Sequence, residues 1–433
     1  MSKAIKQKNR IKQIKDFLIN TWRKQEVTSM LKDCRNFMNM ACKHPRFKSF
    51  WLNLQMPIVN SITYKSYIRR HKYIVNDRTW NVIDTLFFKY TWAESEFGVR
   101  DYHCFFNKQT GFTIRFGKTV DDEPKYCDLG PEILDLEISV NGCPKVGGHN
   151  CKFCYKNNSD KPPTNMSFET FKKIVDSMPK CLYSIAFGIT GVQTNPDFPK
   201  MLMYCIKRDI VPNYTLSGAD LDDTTMYCTT LFCGAVAVSC YQGNKQLCYD
   251  TIKRMYKESS HKLHVNMHIV LSEDPVQLEH IWDVLNDIKN KKVEGLRNIV
   301  FLRIKPVGRA ANMNCKIHLD TYRKIMSFCL DNKIGFGFDS CSAKTAAKVL
   351  KELGHEELVE CCESCESSKF SSYISVDGKY WNCSFCERSD WFKPINVLDY
   401  NNFIDVWHLP EVVRVRNIVT DQSCPVYDLD SKE

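Results

Sequence analysis

The stretch that decides the fold is residues 134–155, which read LDLEISVNGCPKVGGHNCKFCY. Its first seven residues alternate between apolar and polar side chains, which predicts a strand with one buried face. A loop rich in Gly, Pro and Asn follows, and it carries Cys143, Cys151 and Cys154. Three thiols in one loop can converge on a single metal centre, whereas a disulfide needs only two.

This loop resembles the cluster loop of the radical S-adenosylmethionine (SAM) enzymes. In that family three cysteines follow the first strand of a partial barrel, usually as C-x3-C-x2-C with an aromatic residue before the third. Phe153 takes the aromatic position, but seven residues rather than three separate Cys143 from Cys151. The resemblance implies a [4Fe-4S] cluster on Cys143, Cys151 and Cys154 with one open iron that binds SAM. In the family, reductive cleavage of SAM by this cluster releases a 5′-deoxyadenosyl radical.

From the residues alone, a structural zinc site is an alternative for the same loop. Three cysteine ligands leave zinc one ligand short, and His149 can supply the fourth. Buried thiols without a metal are the remaining alternative.

Length and composition indicate a globular protein of two or three domains, since the chain has 433 residues, of which 43% are hydrophobic. We see no apolar run of about 20 residues and no signal-peptide core, so we expect a cytoplasmic protein without a membrane partner. In that compartment the 22 cysteines favour metal ligation and free buried thiols over disulfides.

The net charge of +10 comes largely from residues 1–24, where eight Lys and Arg face a single Asp. Such a segment can bind nucleic acid or an acidic partner. The alternative, which we favour, is a solvated helix with Ile11, Ile14, Phe17 and Leu18 as its buried stripe.

Strand and helix patterns alternate between residues 133 and 339. The predicted strands are 134–140, 183–188, 211–216, 235–240, 264–271, 299–306 and 334–338. Two helices between them begin at Ser167 and Asp274, which are N-cap residues. The alternation predicts parallel strands joined by right-handed crossovers. The cysteine loop then lies at a carboxyl end of a strand, where βα barrels carry their chemistry.

The expected fold class is therefore α/β, with a partial (βα)6 TIM-like barrel at its centre. A mainly helical N-terminal region, turning to short strands such as 111–116, precedes the barrel. A small cysteine-rich α+β extension follows it. The expected domains are residues 1–130, 131–340 and 341–433.

The ends of the barrel strands supply the candidate SAM contacts, and polar residues such as His264 and Asn266 are expected to line the barrel. After the second strand the family often has Gly-Gly-Glu-Pro, whose Glu holds the SAM amino group. That Glu is missing here, and Gln193 or Thr190 is its candidate substitute. The candidate SAM contacts are Phe153, Gly188, Gly191, Gln193, Ser217, Ser239, His268, Arg303 and Lys305.

A second thiol group lies after residue 339 and has two interpretations. By spacing alone it matches a four-thiolate zinc ribbon, with Cys362, Cys365, Cys383 and Cys386 as ligands. It also contains C-x12-G-x4-C, which resembles the SPASM and twitch extensions that hold auxiliary [4Fe-4S] clusters. That resemblance implies one auxiliary cluster on Cys341, Cys365, Cys383 and Cys424, with Cys362 and Cys386 in reserve.

The resemblance implies a radical SAM enzyme that abstracts hydrogen from a peptide or protein side chain. A flavodoxin or ferredoxin is the expected electron donor. One alternative is an enzyme of the same class that modifies RNA or a nucleotide. The alternative outside enzymes is a zinc-ribbon binding protein without catalysis. Family analogy predicts the reaction class better than the substrate.

Overall fold

The computed structural model describes residues 68–85, 87–119, 122–146, 150–259, 263–387, 392–420 and 424. The predicted basic N-terminal helix and the candidate zinc ligand His149 lie outside these residues. The chain divides into two compact units, Met1–Lys125 and Tyr126–Glu433. Each unit is described by itself below.

The described part of the first unit is an antiparallel sheet whose strands pair in chain order. They are β1 (Arg69–Val75), β2 (Arg78–Asp84), β3 (Phe88–Glu94), β4 (Arg100–Asn107) and β5 (Thr113–Phe116). Asn76 and Asp77, with φ of 49° and 57°, make the tight turn between β1 and β2. Positive φ at both turn residues suits a two-residue hairpin because it matches the strand twist.

The expectation of a mainly helical region is wrong for residues 68–125, although the strand predicted at 111–116 is confirmed as β5. Strand β3 explains the error, because five of its seven residues are buried, including both apolar and polar positions. A strand buried on both faces loses the alternation by which a strand is recognised in sequence. The one helical stripe named from the sequence, Ile11 to Leu18, lies outside the described residues.

Asp84 forms ion pairs with two lysines inside this sheet. Its Oδ2 is 3.1 Å from Lys89 Nζ and its Oδ1 is 2.5 Å from Lys108 Nζ, and Asp84 and Lys89 are each 2% exposed. Replacing Asp84 by Asn removes the buried carboxylate charge from both ion pairs, so we expect a loss of about 3–5 kcal/mol of local stability. Hydrogen exchange of β2 and β3 measures it.

The matched control is Glu94→Gln, which removes the more exposed ion pair with Arg100. Exposed pairs contribute about 0–1 kcal/mol, so the control should change exchange little. Equal deprotection in the two variants would show that the burial of Asp84 has no special role.

The second unit is built on a ten-stranded sheet in the order β14-β13-β12-β11-β10-β9-β6-β15-β16-β17. All pairs from β14 to β15 are parallel, and β15, β16 and β17 pair antiparallel. These strands are β6 (Ile133–Glu137), β9 (Ser184–Gly188), β10 (Val211–Leu216), β11 (Ala235–Cys240), β12 (His264–Leu271), β13 (Ile299–Arg303), β14 (Phe336–Phe338), β15 (Ser371–Ile374), β16 (Lys379–Trp381) and β17 (Ile395–Asn396). A separate pair is β7 (Ser139–Val140) with β8 (Thr164–Asn165).

Helices connect the parallel strands and complete the C-terminal part. They are α1 (Phe168–Ser177), α2 (Phe198–Lys207), α3 (Asp223–Phe232), α4 (Lys245–Glu258), α5 (Pro275–Lys289), α6 (Leu319–Asp331), α7 (Ala343–Glu352), α8 (Phe403–Trp407) and α9 (Pro410–Thr420). The side chains of Ser167 and Asp274 cap α1 and α5 as predicted. Short 3₁₀ helices cover Gln242–Asn244, Gly308–Ala310, Ser340–Ser342, Glu356–Cys361 and Val397–Asp399.

One face of the parallel strands packs on the helices. Leu136, Phe187 and Met267 are among the strand residues that join the buried helix residues in one continuous core. Along β12 every second residue is buried and those between are half-buried, as the alternation predicted. The half-buried set includes His264, Asn266 and His268. The face opposite the helices is therefore polar and partly accessible.

The predicted strands 211–216, 235–240 and 264–271 are confirmed at the same residues. The first strand is interrupted at Ile138, and the strand predicted at 299–306 ends at Arg303. Pro306 lacks an N–H for a sheet hydrogen bond, which limits that strand. The result is a mixed α/β fold with a large, mostly parallel sheet. In the part of the chain that the structure covers, we find no helix with the length and apolarity needed to cross a membrane.

Candidate functional site

The cysteine loop begins where β7 ends, with two residues in left-handed conformation. Asn141 has φ of 61° and Gly142 has φ of 65°. The N–H of Gly142 then donates to Lys161 O at 2.8 Å and that of Cys143 to Ser159 O at 2.9 Å. These bonds join the two ends of the loop, so the segment containing Cys151 and Cys154 folds back toward Cys143.

The three thiols of this loop are half-buried and influence one another. Burial raises the pKa of Cys143 to about 11, with smaller contributions from Cys154 and Cys151. Burial also raises the pKa of Cys151, and Cys154 adds to it. Neighbouring thiolates repel, and a cationic metal centre relieves that repulsion. The donor set therefore fits an iron–sulfur cluster, although no group of three His, Cys, Asp or Glu among the described residues already has a metal-holding arrangement.

The segment after β13 holds the cysteine loop from one side. Arg309 Nε donates to Cys151 O at 2.8 Å, and its backbone N–H donates to Cys154 O at 3.0 Å. Phe153 packs against Ile304 and neighbouring residues, and its ring lies 5.6 Å from that of Tyr241. The sequence predicted this segment as a contact for SAM, and the structure shows that it supports the loop.

Lys156 joins three parts of the second unit. Its Nζ is 3.0 Å from Glu137 Oε1 at the end of β6, and it also bonds the Tyr373 hydroxyl of β15 and Glu387 Oε2. Burial raises the pKa of Glu137, whereas Lys156 lowers it. None of these residues was identified as a site residue from sequence. Two of the three bonds of Lys156 join it to residues more than 200 positions away along the chain.

The turn after β9 carries Gly191 and Gln193, which are predicted to contact SAM. Asp220 lies next to both residues. The Gln193 N–H donates to Asp220 Oδ2 at 3.1 Å and its side chain donates to Asp220 O at 2.8 Å. A Cβ on Gly191 would lie 2.4 Å from Asp220 Oδ2. Within the described residues, Asp220 Oδ1 is buried without a hydrogen-bond partner. Sequence reasoning missed Asp220, since a lone Asp in a Ser-Gly-Ala-Asp turn has no distinctive spacing.

Thr190, the other candidate substitute for the missing Glu, is used inside the protein. Its hydroxyl donates to Asn141 O at 2.5 Å, and its N–H donates to Ser139 Oγ at 3.1 Å. It therefore supports the start of the cysteine loop. Gly188, a further candidate, is exposed at the end of β9, and a Cβ there would lie 3.3 Å from Glu137 Cα.

Asn244 holds two of the candidate strand ends together. Its Nδ2 donates to Ser217 O and to Ser239 O, at 3.0 Å each.

Burial lowers the pKa of His268 to about 4, with a smaller opposing effect of Asp339, so the imidazole is neutral near pH 7.

The two candidate cations, Arg303 at the end of β13 and Lys305 just after it, differ in their surroundings. Arg303 Nε donates to Cys315 O at 3.1 Å, and Arg303 follows Ile299 and Phe301 in the alternation that faces the helices. Lys305 bonds Asp339 Oδ2 and its Nζ lies 4.9 Å from the centre of the Phe385 ring. SAM binding by any of the candidate residues stays a prediction.

The C-terminal thiols form a second neighbourhood. Burial raises the pKa of Cys341 to about 12, and Cys365 and Cys383 contribute. Burial likewise raises that of Cys365 to about 12, with contributions from Cys383 and Cys424. Cys386 Sγ lies 3.1 Å from Cys383 O.

Burial also raises the pKa of Cys362, and Cys361 adds to the effect. Both the zinc-ribbon ligand set and the auxiliary-cluster ligand set stay predictions.

Between Cys365 and Cys383, strands β15 and β16 form an antiparallel hairpin. Gly378 has φ of 77° in its Asp-Gly turn, a conformation that glycine adopts without strain. Strand β15 also pairs in parallel with β6, with Tyr373 opposite Asp135. This pairing brings the C-terminal thiols to the same sheet as the cysteine loop.

Comparison with known proteins rests on structure, since no family model and no curated protein matches the sequence. SuiB of Streptococcus suis bound to SAM has a TM-score of 0.51 and 14% identity, over 67% of this chain and 68% of that chain. SuiB bound to precursor peptide SuiA has a TM-score of 0.53 and 15% identity, over 70% of this chain and 75% of that chain. The resemblance to radical SAM enzymes that the cysteine loop indicated is thus confirmed at the level of the fold.

Proposed function

We propose that this protein is a radical SAM enzyme that modifies a peptide or protein side chain. The observation that carries the proposal is the three-thiol loop at the carboxyl end of the first parallel strand, beside a polar, accessible sheet face. The shared fold with SuiB, which binds both SAM and a precursor peptide, supports it. A partial barrel formed by the curved parallel sheet is part of the proposal.

In this proposal Cys143, Cys151 and Cys154 hold the [4Fe-4S] cluster. With SAM bound and an electron from a flavodoxin or ferredoxin, the cluster supplies the 5′-deoxyadenosyl radical. The half-buried Asp220 carboxyl group supplies the hydrogen-bond acceptor that the protonated amino group of SAM needs, in place of the family's missing Glu. Phe153 and Tyr241 shield the loop from water. Neutral His268 offers a donor or acceptor without adding charge.

The C-terminal thiols supply a second site in the same proposal. Cys341, Cys365, Cys383 and Cys424 are the ligands of an auxiliary [4Fe-4S] cluster, with Cys362 and Cys386 in reserve. Zinc at this site is the alternative. An enzyme of this kind, which needs a reducing environment for its clusters, belongs in the cytoplasm.

The test is the anaerobic iron, sulfide and zinc content of the wild type beside a variant with Cys143, Cys151 and Cys154 changed to Ala. Two clusters correspond to about eight irons per chain, and the variant should keep about four. The control removes three other thiols, Cys228, Cys233 and Cys361, and should keep the full content. Zinc with almost no iron after reconstitution would contradict radical chemistry and leave a zinc-binding protein.

A further inference from the structure

We propose that Asp135 is the group that selects the substrate, by binding a Lys or Arg side chain of the peptide. This inference rests on the proposed function and concerns its substrate. Asp135 lies in the middle of β6, and its side chain is exposed although Leu134 and Leu136 on either side are fully buried. It therefore points away from the helices, to the polar face of the sheet.

The charge of Asp135 has no partner within the described residues. No ion pair or hydrogen bond reaches its carboxyl group there, and burial alone raises its pKa to about 6. Protein atoms thus surround the carboxyl group while open space remains beside it. A partly desolvated carboxylate that has no partner among the described residues is costly, and such groups are common where a ligand supplies the missing charge.

The neighbours of Asp135 connect it to both thiol groups. Its sheet partners are Ala186 on β9 and Tyr373 on β15. Burial raises the pKa of Tyr155, and the carboxylates of Glu137 and Asp135 add to the effect. The Tyr155 ring in turn lies 4.6 Å from that of Phe385.

These contacts locate the carboxyl group relative to the proposed chemistry. Tyr155 follows Cys154 directly, and Phe385 lies between Cys383 and Cys386. A side chain bound at Asp135 would thus lie close to the residues that flank both proposed cluster sites.

The charge of Asp135 itself favours a cation, since no charged group among the described residues contributes to the shift of its pKa. The ammonium groups of Lys156 and Lys305 are paired with other carboxylates, Glu137 and Glu387 for the first and Asp339 for the second. Ala186 leaves room beside Asp135, and the rings of Tyr373 and Tyr155 suit the aliphatic stem and charged head of Lys or Arg.

SAM is the other source of a cation, since it carries a sulfonium and an ammonium group. The experiment therefore has two arms on the full-length protein, the Asp135→Asn variant and an Asp250→Asn control. The Asp250→Asn control removes one carboxylate charge, as Asp135→Asn does, but from an exposed position on α4. The first arm measures SAM affinity by calorimetry, and we expect it to be equal in all three proteins.

The second arm is a selection from a randomised peptide library by mRNA display, anaerobically, with SAM and without reductant, so that binding rather than turnover is measured. The wild type and the control should enrich peptides with Lys or Arg at one position. Asp135→Asn should bind those peptides about 10- to 100-fold more weakly, as expected for a lost charged hydrogen bond. Asp135→Lys should enrich Asp or Glu at that position.

Each other outcome decides the question. Enrichment of peptides without a basic residue, or the same basic preference in Asp135→Asn, overturns the inference and leaves the proposed function intact. A loss of SAM affinity with unchanged peptide preference assigns Asp135 to SAM and also overturns it. If no peptide is enriched by any of the proteins while iron and SAM binding are normal, the peptide substrate itself is wrong, and this inference falls with it.

Discussion

Lys156→Met is expected to lower the free energy of unfolding of the second unit by about 3–5 kcal/mol, the usual cost of breaking a buried ion pair from one side. Lys156 is 9% exposed, and Glu137, its partner at 3.0 Å, is 4% exposed. Met fills a similar volume but leaves Glu137 and Glu387 without the Lys156 ammonium group that pairs with both of them. Urea denaturation followed by far-UV circular dichroism measures the loss.

The matched control is Lys145→Met, which removes an ion pair from the same loop. Lys145 and Asp160 are 2.8 Å apart but 50% and 53% exposed, so this change should cost about 0–1 kcal/mol. Lys156→Met should also lose iron in anaerobic preparations although all three loop cysteines remain, because the loop loses its tie to β6 and β15. A Lys156→Met protein as stable and as iron-rich as the control would show that this buried contact does not position the loop.

Gly308→Ala is expected to displace the cysteine loop and to remove about half of the iron, as the triple cysteine variant does. A Cβ on Gly308 would lie 2.2 Å from Tyr155 O and 2.6 Å from Cys154 O. Both atoms belong to backbone, so they move only if the loop moves. Gly308 also has φ of 64°, which costs a non-glycine residue about 1–2 kcal/mol. Iron content and hydrogen exchange of residues 150–158 measure the displacement.

Gly354→Ala separates these two effects. Gly354 has φ of 77°, but a Cβ there would meet nothing within 4 Å. This control has the conformational cost without the collision, so its iron content should equal that of the wild type. If both variants keep their iron and the exchange of the loop is unchanged, the contact between Gly308 and the cysteine loop does not hold the thiols in place.

Most of the parallel sheet could be predicted from sequence because its signals are local. Strands such as 211–216 and 264–271 have apolar residues at spacing two, and α1 and α5 have N-cap residues followed by helical spacing. The antiparallel sheet of the first unit escaped prediction at β1 to β4. In β3, polar side chains such as Lys89 are buried beside aromatic ones, and this burial depends on a partner like Asp84 that no local pattern reveals.

The cysteine loop could be located from sequence, but the groups that position and complete it could not. Arg309, Asp220 and Lys156 act through bonds to residues distant in the chain, and each has an ordinary local context. Gln193, which is predicted to contact SAM, bonds Asp220 across the turn. Hydrogen-bond partners of this kind are chosen by the packing of whole elements.

By itself, the sequence determined the alternation of strands and helices, the two thiol groups and the polar face of β12, because each follows from residue spacing over a few turns or strand positions. Only the tertiary structure decided that β15 pairs with β6 and that Asp135, beside this pairing, has no partner within the described residues. The physical reason is that strand pairing and charge compensation join residues some 240 positions apart, as Tyr373 and Asp135 are, and no local pattern encodes them.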